Sequence, residues 1–255
     1  MLTNSKVKEI KNLETKSKAR REAGLFVIEG IRMFLEAPSE WIEETYVTKD
    51  VLGREDCKEK LASLDYEVID EERMKKISDT MTPQGVLCIV RMPVYNADDI
   101  IKTAEDGSLF MVLEDIQDPG NLGTIIRTGE AAGVKGVIMT KGTVDISNPK
   151  VIRSTMGSVY RVPFAYADDI GKVIKALKDN KVEVYAAHLK GRKLYDEVTY
   201  GRTAFLIGNE GNGLKDETAE MADTYVRIPM SGEVESLNAA IASSILMFEH
   251  FRQTR

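Results

Sequence analysis

The sequence predicts an α/β protein built on a mostly parallel sheet with helices on both faces. Two observations carry that reading. Short β-rich runs alternate with helical ones along nearly all of its 255 residues. Glycine-bearing turns follow several of the apolar runs, where a parallel sheet places its binding loops. Hydrophobic residues make up 43% and charged residues 30% of the chain, which supports a sizeable core and argues against disorder. The length suits two domains better than one.

The elements follow in order. Leu25–Ile28 and Glu44–Thr48 read as strands, Arg54–Leu64 as a helix, Tyr66–Ile69 as strand-like, Glu71–Ser78 as helical and Gly85–Arg91 as a strand. Residues 92–107, with a proline, an asparagine and a glycine, read as a connecting segment. The expected domains are therefore 1–98 and 106–255. In the second, Ser108–Leu113 is a strand, Gly120–Ala132 a helix and Gly136–Thr140 a strand. Pro149–Ser158 and Asp168–Lys178 read as helices, and Val182–Ala186 and Thr203–Ile207 as strands. Leu214–Met221 is helical, Thr224–Ile228 a strand and Ser236–Phe251 the closing helix.

Charge excludes some functions. Thirty-five basic against forty-one acidic residues give a net charge of −6, against indiscriminate polyanion binding. Residues 1–32 nevertheless carry eight basic and four acidic side chains. Val7, Ile10 and Leu13 give that segment an apolar stripe. Its lysines and arginines form either a solvated helix face or an arm that touches phosphates. Two cysteines and two histidines are too few for a zinc site or a histidine-centred triad, so no metal is expected, and the cysteines read as reduced buried thiols. No apolar run approaches the roughly 20 residues of a membrane span, and the N-terminus has no signal-peptide pattern, so a cytoplasmic protein is expected.

Three loops at predicted strand ends are unusual. The first runs from Glu114 to Arg127, where Pro119, Gly120 and Gly123 crowd a helix start whose bare N–H groups can receive an anion. Leu122, Ile125, Ile126 and Gly129 fall on one face, with Asn121, Thr124 and Arg127 off it. Arg127 reads either as a functional cation or as an exposed arginine paired with Glu130. The second loop, Gly208 to Leu214, has three glycines in six residues around Glu210. It permits close approach of a ligand or simply a tight turn. The third leads from Ile228 into the last helix, with Ser236 a candidate N-cap and Asn238 in need of polar partners. That helix is apolar nearly all round and so should be buried on more than one side. A Rossmann dehydrogenase is disfavoured, because the dinucleotide glycine fingerprint is absent.

Together and in this order the loops resemble the three motifs of the SpoU/TrmH family, RNA ribose 2′-O-methyltransferases of the SPOUT superfamily. The motifs are Asp118-Pro-Gly-Asn-Leu-Gly-Thr-Ile-Ile-Arg127, Ile207-Gly-Asn-Glu-Gly-Asn-Gly-Leu214, and Ile228-Pro-Met with Glu235-Ser-Leu-Asn238. The stretch Lys18-Ala-Arg-Arg-Glu with Phe26-Val-Ile-Glu-Gly30 resembles the small substrate-binding domain often fused ahead of it.

The resemblance implies a deep trefoil knot and S-adenosylmethionine as methyl donor. Gly208, Ile228 and Leu237 would hold it through backbone groups, with Thr140 as a wall. Asn121, Arg127, Glu210, Ser236 and Asn238 would form the catalytic set. Arg127 as clamp for the substrate phosphate is preferred over Arg127 as base, because a guanidinium pKa lies above about 12. Lys6, Lys11, Lys18, Arg20, Arg21 and Arg32 are the candidate RNA contacts. The resemblance further implies a homodimer through the knot region and last helix, acting on structured RNA. Ribosomal RNA is preferred; transfer RNA, or a non-catalytic RNA-binding or assembly role, is the alternative.

Overall fold

The basic N-terminal segment folds as two helices, α1 (Asn4–Thr15) and α2 (Ser17–Ala23), in a computed structural model that describes residues 2–234 and 236–255. The Thr3 side chain accepts from Lys6 N at 3.2 Å and so starts α1. Ile10 and Leu13 are buried as their spacing predicts, while Val7 is half-buried. Gly24, at φ +65°, ends α2 in the left-handed conformation and turns the chain into β1 (Leu25–Glu29). There follow α3 (Ile31–Glu36), β2 (Ile42–Val47), α4 (Lys49–Leu52), α5 (Glu55–Ala62), β3 (Glu67–Val68), α6 (Glu71–Ile77) and β4 (Val86–Arg91). Their sheet has the order β1-β4-β2-β3, with β4 antiparallel to both neighbours and β2 parallel to β3. Cys57 and Cys88 are both free thiols, buried in this unit.

The chain then runs through α7 (Ala97–Ile101), β5 (Leu109–Leu113), α8 (Pro119–Ala131), β6 (Gly136–Thr140) and α9 (Pro149–Thr155). It continues with β7 (Phe164–Ala167), α10 (Ile170–Asp179), β8 (Glu183–Ala187), β9 (Lys193–Leu194) and β10 (Thr203–Ile207). It ends with α11 (Asp216–Glu220), β11 (Thr224–Arg227) and α12 (Ala239–Thr254). The chain forms two units, Met1–Pro93 with Asp145–Tyr160, and Val94–Val144 with Arg161–Arg255. The segment carrying α9, expected in the second domain, thus packs with the first.

Arg20 explains that placement. It is only 4% exposed. Its Nε and one terminal nitrogen donate to Asp145 Oδ2 at 3.0 and 2.7 Å, and Nε also to Ser147 Oγ at 3.1 Å. The other terminal nitrogen donates to the Leu13 and Glu14 carbonyls at 2.7 and 3.2 Å. The guanidinium therefore ties the end of α1 to the segment before α9. Nearby Glu14 is also buried, with Oε1 unpartnered and Oε2 2.7 Å from Lys11 Nζ. Burial outweighs the lysine and pushes this carboxyl up to about 7.

In the second unit, seven strands form one sheet in the order β7-β6-β5-β10-β8-β11-β9, and every neighbouring pair is parallel. Each residue of β5 and β10 is buried, as expected where helices cover both faces. Two strands escaped the sequence reading: β7, a short edge strand, and β9, only two residues long. On α8, Leu122, Ile125, Ile126 and Gly129 are buried, as their spacing predicts. The last helix departs from expectation. Leu246 and Met247 are buried, but Ile241 is 54% and Phe248 46% exposed, so one apolar side stays uncovered in the single chain.

Replacing Arg20 by methionine is expected to destabilise the first unit by about 3 kcal/mol, because Asp145 loses its counter-charge. Denaturant unfolding followed through Trp41, the chain's single tryptophan, which stacks edge-on with Tyr160 in that unit, reads this directly. A loss below about 1 kcal/mol would contradict the assigned role.

Candidate active site

The strand order reverses between β5 and β10: the chain leaves β5 toward β6 on one side and leaves β10 toward β11 on the other. Such a switch point opens a crevice beyond the carboxyl ends of the two strands. The first two unusual loops start there. Glu210 Oε1 accepts from Asp118 N at 3.0 Å and from Asn121 Nδ2 at 2.9 Å, and Oε2 accepts from Gln117 N at 3.0 Å. The anion received at the glycine-rich helix start is therefore an internal carboxylate. Burial alone would raise the Glu210 pKa, but the Asn121 bond and the backbone donors outweigh it and hold the carboxyl below its ordinary value.

Asn121 joins the third loop to this pair. It is 8% exposed, and its Oδ1 accepts from Asn238 Nδ2 at 2.8 Å. Asn238 Oδ1 in turn accepts from Ala240 N and Ile241 N at 2.9 and 3.2 Å. Asn238, not Ser236, is thus the N-cap of α12; Ser236 lies exposed ahead of it. The three side chains form one directed chain, in which the carboxylate orients the first amide and the first amide orients the second. Glu235 lies outside the described residues.

Arg127 stands six residues beyond Asn121 on α8 and is exposed. It is not paired with Glu130, which engages Arg161. Among the described residues Arg127 has no ion pair and no hydrogen bond. Its guanidinium is open to an anion.

Gly208 is glycine for the turn itself. A Cβ there would lie 2.1 Å from the Gly213 carbonyl carbon and the Leu214 nitrogen. Asn209 closes the turn, exchanging backbone bonds with Gly213 at 3.0 and 2.8 Å, and its Nδ2 reaches the Asp115 carbonyl at 2.8 Å. Beneath lies a network unforeseen from the sequence. Buried Glu114 accepts from Lys215 N at 2.8 Å and Thr218 Oγ1 at 2.6 Å, and Asp115 pairs with Lys215 Nζ at 2.9 Å. Thr140 donates to Asp115 Oδ1 at 2.7 Å, so its hydroxyl is already engaged. The available signal was an acidic pair directly after five apolar residues.

The backbone groups of Gly208, Ile228 and Leu237 have no hydrogen-bond partner among the described residues. Such free main-chain groups fit a small molecule held through the backbone, as expected for an adenosine-bearing cofactor.

A profile of the SpoU rRNA Methylase family matches residues 108–248, and one of an MRM3-like substrate binding domain matches residues 4–88. The chain is 32% identical to the 23S rRNA (guanosine(2553)-2′-O)-methyltransferase RlmP of Bacillus subtilis, over 98% of this chain and 96% of that protein. The chain belongs to the SpoU family. Its fold superposes on the AdoMet-bound rRNA methyltransferase of Sinorhizobium meliloti with a TM-score of 0.88, 34% identity, and coverage of 100% and 97% of the two chains. The SpoU methyltransferase AviRb of Streptomyces viridochromogenes, in complex with AdoMet, gives a TM-score of 0.88 at 26% identity over 98% of each chain.

Within this SpoU chain the expected RNA contacts divide. Arg20 is buried on Asp145 and presents nothing to a phosphate. Lys6 lies 2.7 Å from both Glu9 and Glu44, and Lys11 bonds Glu14 and the Ser78 carbonyl. Arg32 pairs with Glu36 at 2.8 Å, half in solvent. Lys18, 3.7 Å from Glu22, and Arg21 are the exposed cations of α2.

Glu210→Gln is expected to cost about 1 kcal/mol at pH 7, allowing for solvent exposure. Because the folded pKa is lowered, the charged clip contributes fully above the ordinary value of 4.5 and is lost as pH falls through the lowered folded value. The gap between wild type and variant in urea unfolding should therefore narrow below about pH 4.5. A gap independent of pH would contradict the charged clip.

Proposed function

We propose that the protein transfers a methyl group from S-adenosylmethionine to a ribose 2′-hydroxyl of ribosomal RNA. The observation that carries this is the relay Glu210–Asn121–Asn238, which gathers three loops at the switch crevice and leaves Arg127 free beside it. The Bacillus subtilis relative, similar over nearly the whole length, is named for this reaction on 23S rRNA. When bound, S-adenosylmethionine supplies a methyl group activated by a positively charged sulfur.

The chain's own residues orient the nucleophile. Arg127 clamps the phosphate next to the reacting ribose, as a planar multi-donor cation suits a phosphate. Ser236, exposed on the third loop, hydrogen-bonds the 2′-hydroxyl and aligns it for attack. Asn238 spends its oxygen on the α12 cap and one amide hydrogen on Asn121; the other amide hydrogen remains for the hydroxyl oxygen. Asn121 and Glu210 hold this geometry, and the Glu210 carboxylate offsets positive charge nearby. Gly208, Ile228 and Leu237 hold the cofactor by backbone groups, with Thr140 behind them. Held in line, the reactants gain much of their acceleration from proximity.

The third loop completes a trefoil knot, which fixes the cofactor loops against one another. Ile241 and Phe248, exposed on one side of α12, meet a second copy of the chain in a homodimer. In the first unit, Lys18, Arg21 and Arg32 bind RNA phosphates, and the enzyme works in the cytoplasm. Phe248→Glu should yield a monomer in analytical ultracentrifugation; an unchanged dimer would move the interface elsewhere. Arg127→Ala should lower methyl transfer at least about a hundredfold while calorimetry shows cofactor affinity nearly unchanged. Equal loss of both would overturn the phosphate-clamp role.

A further inference from the structure

A second group of cations stands at the same end of the sheet. The turn after β8 carries Lys190 and Arg192, Lys193 opens β9, and Arg227 ends β11; all four are exposed. Elsewhere in this unit surface cations are mostly paired: Lys135 with Glu105 at 2.6 Å, Lys178 with Asp223 at 2.8 Å, Arg202 with Asp106 at 2.8 Å. Among the described residues these four have no ion pair and no side-chain hydrogen bond. Of the two nearby acids, Glu197 accepts from Leu194 N at 3.1 Å, and exposed Asp196 forms no ion pair among the described residues. In a chain of net charge −6, four open cations in one place call for an anion.

The turn is held in place. Gly191 is buried, and a Cβ on it would lie 2.8 Å from the Val226 carbonyl carbon and 2.9 Å from Arg227 N. Only glycine lets the turn press against the end of β11, which sets Lys190 and Arg192 on either side of that contact. His188 N donates to the Val226 carbonyl at 2.9 Å, and His188 Nδ1 accepts from Lys190 N at 3.1 Å. The His188 ring packs on Tyr225, with centroids 5.3 Å apart. A turn already ordered loses little entropy on binding.

We infer that Lys190, Arg192, Lys193 and Arg227 form a phosphate-binding surface of the catalytic unit that grips the RNA strand flanking the reacting nucleotide. The inference rests on the RNA methylation proposed above. β8 adjoins β10, which borders the crevice, and β11 adjoins β8. Neighbouring strands lie about 4.8 Å apart, so the cations stand roughly 5–15 Å along the sheet edge from the crevice. An RNA chain leaving the reacting ribose toward that edge meets them in succession.

The test uses the full chain with Lys190→Ala, Arg192→Ala and Arg227→Ala combined, and a transcribed fragment of large-subunit ribosomal RNA. Affinity is measured across a salt series. The salt slope should fall by about 2, since each lost single-strand phosphate contact removes about 0.7. The KM for RNA should rise about tenfold or more at moderate salt, while the dissociation constant for S-adenosylmethionine stays within about twofold. Arg192→Lys, which keeps the charge, should keep the slope. Lys175→Ala, on α10 and paired with Asp179, should also keep it. A wild-type slope and affinity in the triple variant would overturn the inference and point the surface toward an acidic protein. Failure of the broader reading looks different: wild-type protein that binds the fragment yet transfers no methyl group to any ribosomal RNA.

Discussion

Three side chains govern the catalytic unit: Glu210, Asn121 and Asn238, joined end to end at 2.9 and 2.8 Å. A carboxylate can only accept, so it dictates which end of the Asn121 amide faces it. The freed amide oxygen then dictates the orientation of Asn238, whose own oxygen must turn to the first N–H groups of α12. Reversing one amide would set two donors or two acceptors against each other. One charge thus aligns two amides and a helix start, and it does so where chain segments 89 and 117 residues apart have to meet.

The sheet order makes that meeting possible. The loops after β5 and β10 are neighbours because their strands are, and the reversal between them keeps the crossing helices from closing over the crevice. The Glu114 and Asp115 network lies under the same two loops and binds Lys215 and Thr218 beyond the second. Glu210 above and Glu114 below therefore clip the same pair of loops at two levels. The third loop has no such second clip among the described residues and depends on Asn121 alone. Among the described residues the backbone groups of Ile228 and Leu237 on that loop have no hydrogen-bond partner.

Much of this was legible in the residues. Apolar spacing found the central strands and the buried face of α8, because burial on both faces leaves long apolar runs. The three loops announced themselves by glycine density and by polar residues that a bare turn does not need. Geometry hid the rest. Arg20 and Arg21 are adjacent and identical in type, yet one is buried on Asp145 and the other exposed; the partner lies 125 residues away and carries no local signal. Ser236 read as the cap because serine caps helices, but Asn238, expected inside the first turn and held by Asn121, takes that place. β9 owes its existence to the neighbouring end of β11, not to its own two residues.

The contrast between Arg20 and Arg127 separates structure from chemistry in this molecule. Arg20 makes five hydrogen bonds to four acceptors and is closed to any further anion. Arg127 sits on a helix with Glu130 one turn away, the spacing at which such pairs form, yet Glu130 is taken by Arg161. Leaving Arg127 without that pair forgoes a few tenths of a kcal/mol. That loss is small, and an open guanidinium has no existing pair to give up when it meets an anion. The same reasoning covers the turn after β8, whose cations are also open while those on α10 are paired. In a chain with more acids than bases, Arg127 and the cations after β8 stay open because Glu130 is engaged by Arg161 and Glu197 by Leu194 N.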